Sequence, residues 1–64
     1  MYYMTARFYN VSDETLLEIY RNAVARITVY TEQGFTDNFE YRNAEQDMRD
    51  AEAELLYRLN PQNN

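Results

Sequence analysis

Cysteine, histidine and lysine are missing from this chain, and its 64 residues include a single glycine and a single proline. Without cysteine there is no disulfide staple and no nucleophilic thiol. Without cysteine or histidine the usual zinc ligand sets are excluded, and no side chain is left that titrates as a base near neutrality. The lack of lysine leaves six arginines as the whole basic complement, a choice that suits planar, bidentate pairing with carboxylates better than a general positive field. Against eleven acidic residues they give a net charge of −5, which opposes binding along a phosphate backbone. No sequence-specific nucleic-acid role is therefore expected. No apolar run approaches the roughly 20 residues that span a bilayer, and Met1–Arg7 lacks a basic stretch followed by an apolar one, so a soluble intracellular product without a membrane partner is expected.

The residues that are present argue for a packed domain. Hydrophobic residues make up 45% of the chain and aromatics 16%, too much apolar surface for a disordered segment. A single domain of this size hides only about 60% of the surface its unfolded chain exposes. It has no room for a deep active site, and its small core calls for reinforcement by self-association or docking.

Val11-Ser12-Asp13-Glu14 announces a helix. Ser12 can cap the free amides, Asp13 and Glu14 suit the positive end, and Val11 can staple onto Leu16. Leu16, Tyr20, Ala23, Val24 and Ile27 recur at spacings of three and four with Leu17 and Ile19 on the flanks, which predicts a helix to about Arg26. From there Ile27-Thr28-Val29-Tyr30-Thr31 is β-branched and aromatic, and Asn38-Phe39-Glu40-Tyr41-Arg42 alternates apolar with polar. Two short strands are expected, reversing near Gly34 or at Asp37-Asn38. Asn43 with Gln46 three residues on predicts the cap of a second helix, whose stripe is Ala44, Met48, Ala51, Leu55 and Leu59, widened by Leu56 and stopped at Asn60-Pro61. The expected order is thus helix, β-hairpin, helix in a small single domain. Residues 1–11 form an aromatic N-terminal arm, 12–60 the core and 61–64 a frayed end.

Glu45, Asp47, Arg49, Asp50, Glu52, Glu54 and Arg58 all lie off the second stripe. Glu45 with Arg49 and Glu54 with Arg58 are i, i+4 pairs in the favourable order. Asp47, Asp50 and Glu54 sit on neighbouring turns as carboxylates do in metal-binding bundles, but such sites draw inward ligands from several helices. The pattern favours a solvated helix face, and no catalytic, metal or cofactor site is expected.

The seven tyrosines point outward. Tyr20, Tyr41 and Tyr30 fit the edge of a core, whereas Tyr2, Tyr3, Phe8 and Tyr9 exceed what so small a core absorbs. They form either an extra edge strand or an arm that docks on a neighbour. Tyr2, Tyr3, Arg7, Phe8 and Tyr9 are accordingly the candidate partner-binding residues, being of the types that dominate interfaces.

The order helix, hairpin, helix, with Phe39 and Tyr41 ending the strands and Asn43, Met48, Ala51, Leu55 and Leu59 at the polar-cap and apolar positions of the second helix, resembles the W-type head-tail joining proteins of tailed bacteriophages over residues 12–60. The stretch Met1–Asn10 has no counterpart in that pattern. The resemblance implies an α+β fold, with two antiparallel helices packed on the hairpin, and a non-enzymatic structural adaptor of the virion, made in the host cytoplasm. Copies would form a ring at the head-tail junction below the portal protein and receive a tail or nozzle protein, with packaged DNA close by. The alternative is a small acidic phage-encoded inhibitor or regulator that presents its acidic helix to a host protein.

Overall fold

The computed structural model describes residues 7–59. They form a helical hairpin, α1 over Asp13–Gln33 and α2 over Phe39–Leu59, preceded by a 3₁₀ turn at Arg7-Phe8 and a bend that leads into α1. The start of α1 agrees with the sequence signal. Ser12 is extended at φ −65° and its hydroxyl accepts from the Thr15 amide, with Asp13 and Glu14 in the first turn, so a capping bond and the helix dipole act together. Val11 packs against the cluster that holds Leu16, as a hydrophobic staple requires.

The β-hairpin does not form, and the α+β assignment is overturned: among the described residues there is no strand. α1 continues from Arg26 through the β-branched run to Gln33, and α2 begins at Phe39 rather than at Asn43. The physical reason is that strand propensity is a weak preference beside packing. Each β-branched residue gives up only about 0.7 kcal/mol relative to alanine in a helix, and a lone two-stranded hairpin is marginal in water. Helix continuation instead prolongs the buried stripe, because Ala23, Ile27 and Tyr30 are again spaced by four and three. Ile27 and Tyr30 are half-buried on α1, as is Tyr41 on α2. The Thr28 hydroxyl is satisfied inside the helix by donating to the Val24 carbonyl at 3.0 Å. The cap of α2 is Asn38, whose side-chain oxygen accepts from the Tyr41 amide at 2.7 Å.

The single glycine makes the reversal. Gly34 adopts φ 78°, ψ 16°. Its amide donates to the Thr31 carbonyl at 3.1 Å and the Phe35 amide to the Tyr30 carbonyl at 2.8 Å, the paired bonds of a Schellman termination. A Cβ on Gly34 would meet nothing within 4 Å, so substitution is opposed by backbone conformation alone. Gly34→Ala is expected to lower stability by about 1 kcal/mol, read as a lower urea midpoint with an unchanged slope. An unaltered midpoint would contradict the left-handed cap.

The interface between the helices is made with few large side chains. Leu16, Ala23, Ala44 and Ala51 are at most 1% exposed. The alanines let the helices approach closely while Phe8, Leu16 and Ala51 form the core cluster, with Val11, Ile19, Tyr20 and Leu55 against it. Leu16 is the one large side chain among the described residues that is buried completely. Phe8 comes from the segment before α1, so the bend at residues 8–12 acts as a third layer over one edge of a two-helix core.

Candidate functional site

Two arginine clamps hold the N-terminal segment to the hairpin. Arg7 Nη1 donates to Asp50 Oδ2 and Arg7 Nη2 to Asp47 Oδ1, both at 2.7 Å. Its guanidinium carbon lies 4.5 Å from the centroid of the Phe8 ring, within cation–π range. Arg26 on α1 reaches the other oxygen of Asp47 at 3.4 Å, and Gln46 donates to Asp50 Oδ1 at 3.0 Å. Asp47 and Asp50 therefore join the N-terminal turn, α1 and α2.

Arg58, near the end of α2, gathers the start of the chain from the other direction. It donates to Glu54 Oε2 at 2.8 Å and Asp13 Oδ1 at 2.6 Å. Its Nη2 bonds the carbonyls of Phe8, Tyr9 and Val11 at 3.1, 3.3 and 2.6 Å. These carbonyls belong to a bend in which only that of Phe8 also accepts a backbone bond, from the Val11 amide at 3.2 Å, and a guanidinium with five donors meets that need where an ammonium has only three. The all-arginine complement thus has a structural use.

Hydrogen bonding from Asp47 raises the Arg7 guanidinium above its ordinary value against the lowering effect of partial burial, with Asp50 adding to the rise. For Arg58 the hydrogen bond to Glu54 leads, with that to Asp13 second. A basic group whose folded value lies above its unfolded value contributes stability that is complete below the unfolded value and is lost only as pH rises through the folded one. Both clamps consequently keep their positive charge throughout the neutral range.

These bonds correct the expectation that the second helix carries its acid as a solvated face. Asp50 and Glu54 are 7% and 6% exposed, and among the described residues no buried side-chain nitrogen or oxygen lacks a hydrogen-bond partner. The two i, i+4 pairs do form, Glu54 with Arg58 at 2.8 Å and Glu45 with Arg49 at 3.6 Å. The sequence carries a signal for the buried row. Asp47, Asp50, Glu54 and Arg58 each precede a stripe position by one residue, so they border the packed face of α2 rather than oppose it. Among the described residues no group of three or more potential ligands is arranged to hold a metal.

Of the candidate partner-binding residues, Tyr2 and Tyr3 lie outside the described residues, as does the frayed end expected at 61–64. Arg7 is tied to α2, Phe8 is buried at 8% exposure and Tyr9 is open at 70%. Sequence reasoning misses the end of the hairpin, where Phe35 and Phe39 are 53% and 75% exposed. It puts both in a strand and its loop, where an open aromatic ring is unremarkable. The opposite end has a shallow groove of ≈ 300 Å³ lined by Asp13, Leu17, Leu55, Arg58 and Leu59; its two charged side chains already bond each other. No described helix is long and apolar enough to cross a membrane. Comparison with family models, curated proteins and solved structures finds no match to this chain.

Proposed function

We propose that the chain is a non-enzymatic adaptor that docks on a larger protein through the closed end of its hairpin. The observation that carries this reading is the pair Phe35 and Phe39, 53% and 75% exposed on either side of the turn, in a molecule whose buried polar groups, among the described residues, are already satisfied. Two rigid aromatic side chains on a stiff helical stem suit an interface anchor, since few rotamers are lost on docking. The head-tail junction of a phage virion, with portal and tail proteins as neighbours, is the setting that the resemblance to W-type joining proteins supplies. The strands that formed part of that resemblance are replaced by helix, and Met48, Ala51 and Leu55 remain at the matching spacing on α2. The rival inhibitor reading needs a free acidic face, and the pairing of Asp47, Asp50 and Glu54 with arginines reduces the charge such a face would offer.

The test uses the full chain, tagged and expressed in its native genetic setting, with wild type and Phe35→Ser/Phe39→Ser compared by gradient sedimentation of the lysate. The wild type is expected in a large complex containing structural gene products, and the double variant at the top of the gradient with unchanged helical circular dichroism. Identical sedimentation of the two proteins would overturn the assignment of the turn as the docking end.

A further inference from the structure

The two edges of the helical hairpin are unequally covered. On one edge Arg7 closes over Asp47 and Asp50 of α2 and Phe8 packs into the core cluster with Ala51. The other edge carries Leu17 and Val24 from α1, 43% and 36% exposed, and Leu59 from α2, 79% exposed, with Met48 and Leu55 half-buried between them. Leu17 and Val24 are seven residues apart, and so are Met48 and Leu55, with Leu59 one turn further; the residues of each helix therefore lie on one side of it. At the open end of the hairpin Leu17, Leu55 and Leu59 share a groove with the paired Asp13 and Arg58, so the two sides meet there as one strip.

We infer that this strip is the interface of a two-fold homodimer in which α1 of each copy packs on α2 of the other, completing a four-helix bundle. Charge complementarity along the rim favours a second copy as the occupant. Among the described residues Arg21 is the one arginine of six with no carboxylate within salt-bridge distance, the other five being paired. Five glutamates, Glu14, Glu18, Glu32, Glu40 and Glu52, have no cationic partner among them, and of the two on α2 only Glu52 stands level with Arg21. The pairs Asp13–Arg58 and Arg26–Asp47 fix the antiparallel register, and that register sets Arg21 and Glu52 at the same level on opposite rims of the strip. A two-fold axis parallel to the helices stacks α1 of one copy over α2 of its partner, which brings Arg21 against Glu52 of the other chain twice over. The same operation lays Leu17 on Leu55 and Leu59, and Val24 on Met48.

The size fits as well. Two side-by-side helices of 21 residues present a face of about 30 by 20 Å. With its corrugation this approaches the roughly 800 Å² per partner of a standard interface. The inference is independent of the Phe35–Phe39 docking end, because a two-fold axis parallel to the helices brings both turns to the same tip of the bundle and leaves them uncovered.

Sedimentation equilibrium of the full chain between about 1 and 200 μM decides it, with circular dichroism confirming that each variant is folded. The wild type is expected to pass from the 7.7 kDa chain to twice that mass. Arg21→Glu and Glu52→Arg should each weaken the dimer about tenfold, because two attractive pairs become repulsive. An equimolar mixture of the two variants should recover wild-type affinity as a heterodimer, in which the like-charge contacts of each variant are replaced by opposite-charge ones. A monomer at every concentration, a closed ring of higher mass, or a dimer indifferent to both charge changes would each overturn the proposal.

Discussion

Leu16→Ala is expected to leave the protein largely unfolded at 37 °C. Leu16 is wholly enclosed, and no other large side chain among the described residues is, so truncating it removes the centre of the cluster that joins Phe8 to Ala51. Large-to-small changes at such sites cost about 2 to 5 kcal/mol. A domain of this length has roughly 3 to 9 kcal/mol in all. The neighbouring alanines cannot move in to fill the space without bringing the helix backbones into contact, so little of the cavity should relax away. Leu55→Ala is the comparison: Leu55 sits in the same interface but borders the open strip and is only half-buried, and its loss should be clearly smaller. Urea unfolding monitored at 222 nm measures both, and equal midpoint shifts would show that the core is not centred on Leu16.

The parts of this fold that are legible in the sequence are those fixed by local chemistry. The cap at Ser12, the stripe Leu16, Tyr20, Ala23 and Ile27 and the pairs Glu45–Arg49 and Glu54–Arg58 all depend on local spacing, and the structure keeps each of them, although Val24, expected in that stripe, is 36% exposed. The two misread boundaries have a common cause. Asn38 and Asn43 are both sound capping residues, and a run such as Ile27–Thr31 is compatible with either a strand or a helix. The choice depends on what each option buries against the partner helix, which no local window contains. The Schellman turn is half-visible, since its glycine marks the reversal at Gly34 without saying whether strands or helices flank it. Least legible are the clamps. Arg7 meets Asp50 from 43 positions away and Arg58 meets the Phe8 carbonyl from 50, and only the lack of lysine hints that the arginines have fixed geometric partners.

The segment before α1 bears directly on how the protein works, because its residues are of the types that dock on partners and yet part of it is built into the core. Phe8→Ala is expected to destabilise the isolated protein by about 3 kcal/mol, while Tyr9→Ala, at 70% exposure, should change stability by no more than about 0.5 kcal/mol. Phe8 fills the edge of the core, and it also supports the Arg7 guanidinium 4.5 Å above its ring, which in turn neutralises the buried Asp50. Arg7→Met added to Phe8→Ala should therefore cost less than the sum of the two single changes, since neighbours that share partners are not additive. Arg7 is 45% exposed, so solvent screening holds its own share to the lower end, about 1 kcal/mol. Denaturation of the four proteins of this cycle gives the coupling directly. Full additivity would detach Arg7 from Phe8. A Phe8→Ala protein as stable as wild type that failed to enter the larger assembly would return this aromatic to the partner interface, and with it the reading of residues 7–9 as an arm.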